Sequence, residues 1–350
     1  MKVGAIAESA FERLALKLEL APRALVDTHA TMLLARTVMA GAELEIFDAL
    51  AGGSLTVDEI ATACGTAGSA TAALLDALAA CGYLHFSNGR FALTRRSRRW
   101  LLSDSRSSVR DKLLLQIAEW RWMETLEQFV RSGQSLDFHR AMTDEERRLY
   151  HRGMRALAGV AGREVALRTP MPRGARRMID LGGSHGHFAA EICRRHPALS
   201  AEVMELPDAI EIPAPMLASE GLNDRLVHRA GNVITASLGV QQYDLVFMSN
   251  LAHHLDEEQN LDLARRVAIA LRPGGVFVIQ DAARAQSPGR QSQIPALLGL
   301  YFAMQSRPGV RTWTVPEMAG WQQSVGLKVR RARHLRTAPG WVQQAAVRRR

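Results

Sequence analysis

From about residue 176 onward, short apolar runs alternate with longer segments whose apolar residues recur at helical spacing. The longer segments, which predict helices, include HFAAEICRRH and DEEQNLDLARRVAIALR. The short runs, which predict strands, are RMIDL, AEVMEL, RLVHRA, YDLVFM and GVFVIQD. This alternation is typical of an α/β fold, in which a Rossmann-like, mostly parallel sheet carries helices on both faces. Ligands of such folds bind at the carboxyl ends of the strands, so functional residues are expected there.

The first 170 residues have a different, mainly helical pattern. The segment RALVDTHATMLLARTVMAGAELEIFDAL is apolar around its whole helical circumference. It predicts a helix buried on several sides and, in a small domain, a subunit interface. A helix opened by the capping box Thr56 to Glu59 comes next, followed by a second helix in ATAALLDALAACGYL. The Asn88-Gly89 turn in YLHFSNGRFALT then predicts a type I′ hairpin.

Helix, helix and hairpin in this order are typical of a winged helix. We therefore predict a winged-helix-like dimerisation domain over 1–105, a helical linker over 106–170 that contributes to a substrate pocket, and a ligand-binding α/β domain over 171–350. A helix that reads DNA exposes Arg, Lys, Asn or Gln to the major groove. The second helix here is almost entirely Ala and Leu, so DNA reading is disfavoured.

Composition narrows the class of protein further. Of the 350 residues 47% are apolar, yet no uncharged apolar window of about 20 residues occurs. The start, MKVGAIAESAFERL, lacks the apolar region of a signal peptide, and the three cysteines are scattered. These features predict a cytoplasmic protein without a membrane partner. The net charge is +9, with basic clusters at 95–99, 330–336 and 348–350. We interpret these clusters as solvated faces and predict no nucleic-acid partner.

The strand RMIDL runs into a glycine-rich turn, Gly182-Gly183-Ser184-His185-Gly186. The dinucleotide pattern G-x-G-x-x-G does not fit this turn, and no Gly-Lys-Ser/Thr of a phosphate loop follows it. Asp180 stands two residues before the first glycine. Its carboxylate would repel a pyrophosphate and suit a ligand that carries an ammonium group.

A second acid, Glu205, closes the next predicted strand. In α/β folds this is the position of the carboxylate that accepts hydrogen bonds from both ribose hydroxyls. A ribose, an ammonium group and no phosphate together describe S-adenosylmethionine, which we predict as the cofactor.

The chain resembles the class I methyltransferases, and in particular the two-domain small-molecule O-methyltransferases of plants and of bacterial secondary metabolism. The resemblance covers nearly the whole chain. AELEIFDAL matches the dimerisation module, Trp122, Leu126 and Gly133 match a Trp-x-x-x-Leu…Gly stretch, and Tyr150 to Met154 resemble a Phe-Asn-x-x-Met motif. DLGGSHG matches the acid-leucine-triple-glycine motif with Ser184 for one glycine, MELPDAI matches the Asp-Leu-Pro ribose motif, and Gly231-Asn232 matches a Gly-Asp pair that holds the adenine amino group.

The resemblance implies a homodimer formed through the N-terminal domain and a small-molecule acceptor. It also implies a set of residues around the cofactor: Asp180, Gly182, Gly183, Ser184, Gly186, Glu205, Leu206, Gly231, Asn232, Val233, Ser249 and Met154.

Catalysis is expected in SNLAHHLDEEQN, which follows the strand YDLVFM. The family has His-Asp-Trp here, and alignment from Asp244 places the family's base at His253, with His254 on the Asp. A neutral imidazole suits removal of a proton from a phenol of pKa about 10 during methyl transfer. His254 is a second catalytic candidate, as a group that hydrogen-bonds the substrate.

Two family carboxylates orient this histidine. Asp281 substitutes for the first in a shifted register. The second is absent, because its motif reads Pro308-Gly309-Val310-Arg311-Thr312, and nearby Glu317 belongs to a capping box that starts at Thr314. Methylation of carbon or nitrogen therefore stays open beside methylation of oxygen. A non-catalytic winged-helix regulator that binds the cofactor is the alternative from another class.

An apolar, planar acceptor, aromatic or polyketide-like, is expected to contact aromatic and methionine side chains. His185 and His187 lack a third ligand at suitable spacing, so we predict no metal site. The predicted acceptor-binding residues are Trp120, Trp122, Tyr150, Met154, His253, Tyr301 and Met304, with Phe302 as a further candidate.

Overall fold

The computed structural model describes residues 4–7, 9–20, 22–287, 289, 292–306 and 310–350. The chain separates into two compact units, with the division between Trp120 and Arg121. Each unit has its own core, and each is described by itself.

The N-terminal unit is mainly helical. Its helices are α1 (Ala10–Lys17), α2 (Arg23–Leu25), a π-helical turn (Val26–Ala30), α3 (Thr31–Glu43), α4 (Ile46–Ala49), α5 (Val57–Cys64), α6 (Gly68–Ala80), α7 (Arg95–Trp100) and α8 (Arg110–Met123). Its strands β1 (Leu84–Ser87) and β2 (Arg90–Leu93) form an antiparallel hairpin. Asn88 and Gly89 have φ of 52° and 72°, and the Thr56–Glu59 capping box opens α5, so both local predictions are confirmed.

The predicted single helix over 23–50 is wrong in two respects. It breaks at Glu45, whose φ of 60° ends α3 and sets the start of α4. Only its second half is buried, in a core that includes Val38, Phe47 and Leu50. In the first half Leu33 remains 52% exposed, because no described element of the same chain covers it.

The C-terminal unit contains the α/β fold. Its helices are α9 (Leu126–Ser132), α10 (Phe138–Ala141), α11 (Asp144–Arg168), α12 (His187–Arg195), α13 (Ala214–Ala218), α14 (Glu257–Ala270), α15 (Gln293–Gln305) and α16 (Val315–Ser324). Its strands are β3 (Arg177–Leu181), β4 (Ser200–Glu205), β5 (Leu226–Ala230), β6 (Tyr243–Ser249), β7 (Leu271–Ala282), β8 (Lys328–Val329), β9 (Arg333–His334) and β10 (Trp341–Val347).

The strand order is β5-β4-β3-β6-β7-β10-β8, and β9 also pairs with β10. The first five strands are parallel, whereas β10 runs antiparallel to β7, β8 and β9. Alternate residues of β3 face two different cores: Ile179 packs with residues of α14 and α16, and Met178 packs with residues of α11 and α12. Helices therefore cover both faces, as predicted. Strand order reverses between β3 and β6, so a ligand is expected at their carboxyl ends.

Close packing of α11 on α12 depends on Gly162. A Cβ atom there would lie 2.8 Å from Nε2 of His187 and 3.0 Å from Cγ of Glu191. The His187 ring cannot easily move aside, because its Nδ1 is 2.9 Å from Oε1 of the buried Glu220.

We predict that Gly162→Ala lowers the free energy of unfolding by about 1–3 kcal/mol, as overpacking does, although alanine favours a helix by about 1 kcal/mol. Gly159→Ala on the same helix is the control, since its added Cβ would meet nothing nearer than Nη1 of Arg155 at 3.5 Å. Urea unfolding of both variants measures the difference, and equal stabilities would contradict the packing argument.

Candidate active site

The carboxyl ends of four adjacent strands bring the main predicted site residues to one edge of the sheet. Asp180 lies near the end of β3 and Glu205 ends β4. Ser249 ends β6, and Asp281 lies near the end of β7. Residues that are far apart in sequence thus meet because parallel strands end at the same edge.

The glycine-rich turn connects β3 to α12 and packs tightly against Asp180. Gly182 and Gly186 both have φ of 68°, a conformation that favours glycine. At Gly183 an added Cβ would lie 2.5 Å from Oδ2 of Asp180 and 2.9 Å from Val203. The turn therefore leaves no room for a side chain beside the carboxylate.

Asp180 is almost completely buried, with 1% of its surface exposed. Burial, together with the nearby charge of Glu205, raises the pKa of its carboxyl to about 8. Its Oδ1 atom has no hydrogen-bond partner among the described residues. Because an unpaired buried polar atom is costly, this oxygen is suited to a ligand that donates a hydrogen bond or brings a positive charge.

Glu205 is held by backbone groups. Its Oε1 accepts from the N–H of Leu206 at 2.9 Å, and its Oε2 accepts from the N–H of Ser184 at 3.2 Å. Burial raises its pKa, and these two N–H groups oppose that rise. The carboxylate is therefore fixed in position, and its remaining lone pairs suit a pair of hydroxyl donors.

Two further predicted cofactor residues have local partners. Oδ1 of the exposed Asn232, next to Gly231 and Val233, accepts from the N–H of Ile234 at 2.9 Å. The hydroxyl of Ser249 accepts from Nε2 of Gln280 at 2.9 Å. The oxygen of Asn232, which we predict to accept from an adenine amino group, thus already accepts one hydrogen bond within its own turn.

His253 lies in a short 3-10 turn, Ala252–His254, just after β6. Its Nδ1 is 2.6 Å from Oδ1 of Asp281, and its N–H donates to Oδ2 of the same carboxylate at 3.3 Å. Both side chains are buried, with 3% and 1% exposed. A carboxylate that accepts from Nδ1–H leaves Nε2 with its lone pair, so this imidazole is arranged as a base.

The turn is fixed by contacts that sequence reasoning missed. The carbonyl of Ala252 accepts from Nε1 of Trp313 at 2.8 Å and from Nδ2 of Asn260 at 3.1 Å. The ring of Phe302 stacks on the His253 imidazole with centroids 4.3 Å apart, and the ring of His254 is also 4.3 Å away. Phe302 was only a candidate, and no motif points to Trp313.

The second carboxylate of the family pattern has no counterpart beside His253 among the described residues. Glu317 accepts from the N–H and hydroxyl of Thr314, both at 2.7 Å, and pairs with Arg284 and Arg311. It therefore caps α16, as its sequence context predicts. Positions 308 and 309 of the motif lie outside the described residues.

The predicted acceptor-binding residues fall in three places. Trp120 belongs to the N-terminal unit, where the Arg36 guanidinium lies 5.8 Å from its ring centroid. In the C-terminal unit, the ring of Phe138 lies tilted against those of Trp122 and Tyr150, with centroids 5.2 and 5.8 Å apart. Met154 follows on α11. Tyr301 and Met304 lie on α15, where Met304 is only 2% exposed. Contact of these residues with an acceptor stays a prediction.

No group of three or more His, Cys, Asp or Glu side chains in the described part of the chain could hold a metal ion.

No single described helix is both long and apolar enough to cross a membrane. One bent pair, α5 with α6, passes that test by length and composition alone.

Comparison with known protein families decides the assignment of the chain. An O-methyltransferase domain matches residues 123–317, more than half of the chain, and an O-methyltransferase dimerisation domain matches residues 28–103. The chain belongs to the O-methyltransferase family. The resemblance seen in its motifs is thereby confirmed, as are the α/β fold class and the helical N-terminal dimerisation domain.

Individual relatives of this O-methyltransferase are distant. The 3-hydroxy-5-methyl-1-naphthoate 3-O-methyltransferase of Streptomyces sahachiroi is 26% identical over 271 residues, which are 74% of this chain and 77% of that protein. The L-tyrosine C(3)-methyltransferase of Streptomyces lavendulae is 24% identical over 295 residues, 79% of this chain and 80% of that protein. Human N-acetylserotonin methyltransferase, solved in complex with SAM, shares the fold with a TM-score of 0.82 and 19% identity, covering 99% of this chain and 100% of that one.

Enzymes of the O-methyltransferase family depend on S-adenosylmethionine, so the predicted cofactor is confirmed. The alternative of a non-catalytic winged-helix regulator loses its support. The residues present fit this cofactor. The orphaned oxygen of buried Asp180 suits a cationic group, and Gly183 lets the turn approach that carboxylate closely. Glu205 is fixed by two backbone N–H groups and keeps lone pairs that suit the hydroxyls of a diol.

Proposed function

We propose that the enzyme methylates a hydroxyl group of a small aromatic or polyketide-like acceptor, with His253 as general base. The observation that carries this proposal is the buried pair of His253 and Asp281, with Nδ1 and Oδ1 2.6 Å apart. Such a pair orients the ring and stabilises the imidazolium that forms when the base takes a proton.

In the mechanism we propose, Asp180 and Glu205 hold the cofactor at the ends of β3 and β4. When bound, S-adenosylmethionine supplies an electrophilic methyl group. His253 takes the hydroxyl proton at Nε2 as the acceptor oxygen becomes nucleophilic, and Asp281 holds the imidazole in the required tautomer. Phe302 restricts the tilt of the ring by stacking on it. Alignment of the reacting groups supplies the rest of the acceleration.

Methylation of carbon or nitrogen is the second candidate. The missing second carboxylate beside His253 favours it, because such transfers need less help from a base. Glu317, the acid nearest to the motif, is occupied as a helix cap.

The test is transfer of a carbon-13-labelled methyl group to three matched acceptors: a hydroxynaphthoate, the corresponding aminonaphthoate and the methoxynaphthoate whose hydroxyl is blocked. Nuclear magnetic resonance distinguishes methyl groups on oxygen, nitrogen and carbon. We expect an oxygen-bound methyl on the hydroxynaphthoate and no product from the methoxynaphthoate. A labelled methyl on nitrogen or carbon would replace the proposal by its alternative.

We also propose that two copies of the chain associate through helices α1 to α3. Large apolar side chains on these helices are exposed in the single chain: Phe11 by 78%, Leu14 by 52%, Leu18 by 56% and Leu33 by 52%. The matched dimerisation domain begins at residue 28, within the same region. Exposed apolar area of this kind is typical of a surface that a partner covers.

We predict that Leu33→Arg converts a dimer to monomers, because a guanidinium would be buried in an apolar interface. Light scattering after gel filtration measures the molar mass. Val240→Arg is the control, since Val240 is 64% exposed and belongs to the C-terminal unit. A Leu33→Arg protein that stays dimeric would place the interface elsewhere.

A further inference from the structure

We propose that His151 and Ser184 form a positioning pair that ties the cofactor-binding turn to helix α11. Nδ1 of His151 lies 2.9 Å from the hydroxyl oxygen of Ser184. His151 is a buried residue of α11, with 9% of its surface exposed. The contact is partly buried, and a hydrogen bond contributes more in such a place than at a fully exposed site.

The main-chain groups of Ser184 have partners on two other elements. Its N–H donates to Oε2 of Glu205 at 3.2 Å, and its carbonyl is 2.8 Å from Nε2 of His228 on β5. Ser184 thus connects α11, β4 and β5. A shift of this one residue would move the carboxylate that we assign to the ribose.

The backbone conformation of Ser184 is one that disfavours any side chain, so a contact made by the hydroxyl is needed to offset its cost. Its φ of 46° lies in the left-handed region, where glycine is favoured and a side chain costs energy. The motif that DLGGSHG resembles has glycine at this position. The hydroxyl bond to His151 compensates for that cost and adds a contact that glycine cannot make.

The partner residue departs from its motif as well. In the Phe-Asn-x-x-Met pattern that Tyr150 to Met154 resemble, His151 stands in place of Asn. The two departures from the family pattern are therefore in contact with each other. Because Met154 follows less than one helical turn later on α11, the pair also connects the cofactor turn to a helix that we expect at the acceptor.

The pair is tested by a double-mutant cycle, with binding of S-adenosylhomocysteine measured by calorimetry. Ser184→Ala removes the hydroxyl but keeps Cβ, and His151→Asn restores the residue of the family pattern. We expect each single variant to raise Kd about five- to tenfold, as loss of a partly buried hydrogen bond does. The double variant should then have a Kd no higher than that of the single variant with the higher Kd. Unchanged Kd values, or effects that multiply, would overturn the pairing.

Two controls separate positioning from general destabilisation. Ser219→Ala removes a hydroxyl that donates to the carbonyl of Met216, outside the glycine-rich turn, so it should leave Kd unchanged. Ser184→Gly relieves the backbone cost, so we expect an unchanged or higher Tm together with a raised Kd. A lower Tm with a normal Kd in Ser184→Ala would show a purely structural role.

This inference rests on the proposed placement of the cofactor at Asp180 and Glu205. The same titration of Glu205→Ala distinguishes the two failures. Normal binding by Glu205→Ala would refute the placement itself. Weak binding by Glu205→Ala beside normal binding by Ser184→Ala and His151→Asn would refute only the pair.

Discussion

His253→Ala is expected to lower kcat for a hydroxyl acceptor by about 10²- to 10⁴-fold, the usual contribution of a general base. The affinity for S-adenosylmethionine should stay within about twofold, because the imidazole contacts Asp281 and Phe302 rather than the glycine-rich turn to which we assign the cofactor. Single-turnover rates and calorimetric titration measure the two quantities separately.

His254→Ala is the matched control, since it removes the neighbouring imidazole from the same turn. We expect a loss of less than tenfold. A larger loss in His254→Ala than in His253→Ala would reverse the assignment of the base. A loss below tenfold in both variants would indicate a transfer driven by proximity and would favour carbon or nitrogen as the methylated atom.

Asp281→Ala tests the positioning role of the carboxylate. It leaves the imidazole in place without its partner at 2.6 Å. The kcat should fall about tenfold or more, because the ring loses the group that holds its orientation and tautomer. An unchanged kcat would show that Asp281 serves only the fold.

The affinity of the enzyme for S-adenosylmethionine should depend strongly on pH. Asp180 has a pKa of about 8 in the free protein, raised by burial and by Glu205. At pH 6 its carboxyl is therefore protonated, whereas a bound ammonium group would require the ionised form. We expect affinity for S-adenosylmethionine to rise by up to about tenfold per pH unit between pH 6 and pH 8, and to level off above pH 8.

Calorimetry in two buffers of different ionisation enthalpy tests this linkage directly. Binding at pH 7 should release close to one proton. Glu205→Gln is the control for the other acid of the site. It should bind more weakly and release a smaller fraction of a proton than the wild type, because the Glu205 charge contributes to the raised pKa of Asp180. Binding without proton release in the wild type would contradict the assignment of Asp180 to the ammonium group.

Asp180→Asn should weaken binding of S-adenosylmethionine by about 10- to 100-fold and remove most of its pH dependence, since a buried hydrogen bond to a charged group contributes about 1.5–3 kcal/mol.

The same substitution should make the folded protein more stable above pH 3.8. The folded-state pKa lies above the ordinary value of 3.8. Between these two values the native state keeps a proton that the unfolded state loses, so the wild type becomes less stable as pH rises. The variant should therefore have the higher Tm at pH 8, and the difference in Tm should shrink as the pH falls towards 3.8.

The sequence predicted much of the site because the relevant patterns are local. Asp180 and Glu205 each stand at or near the end of a short predicted strand, and parallel strands that end at one edge bring them together. The capping boxes at Thr56 and Thr314 depend on four consecutive residues, and both form as predicted.

The remaining features depend on contacts between distant segments. Trp313 bonds to the carbonyl of Ala252, 61 residues away, and no periodicity encodes that contact. Asp281 pairs with His253 only because β6 and β7 are neighbours in a particular register. The break at Glu45 was missed because its apolar context reads as one continuous helix, whereas a single positive φ ends α3.

The position of β10 has a consequence for the order in which the enzyme is completed on the ribosome. Val342 pairs with Asp281, so the strand that carries the carboxylate paired with His253 gains its second neighbour from residues synthesised 61 positions later. Until then the β7 edge of the nascent sheet is open to other strands. Translation thus delivers the cofactor turn well before it delivers the strand that completes the sheet around the base. Pauses or truncations within that interval would expose a sheet edge that is prone to aggregation.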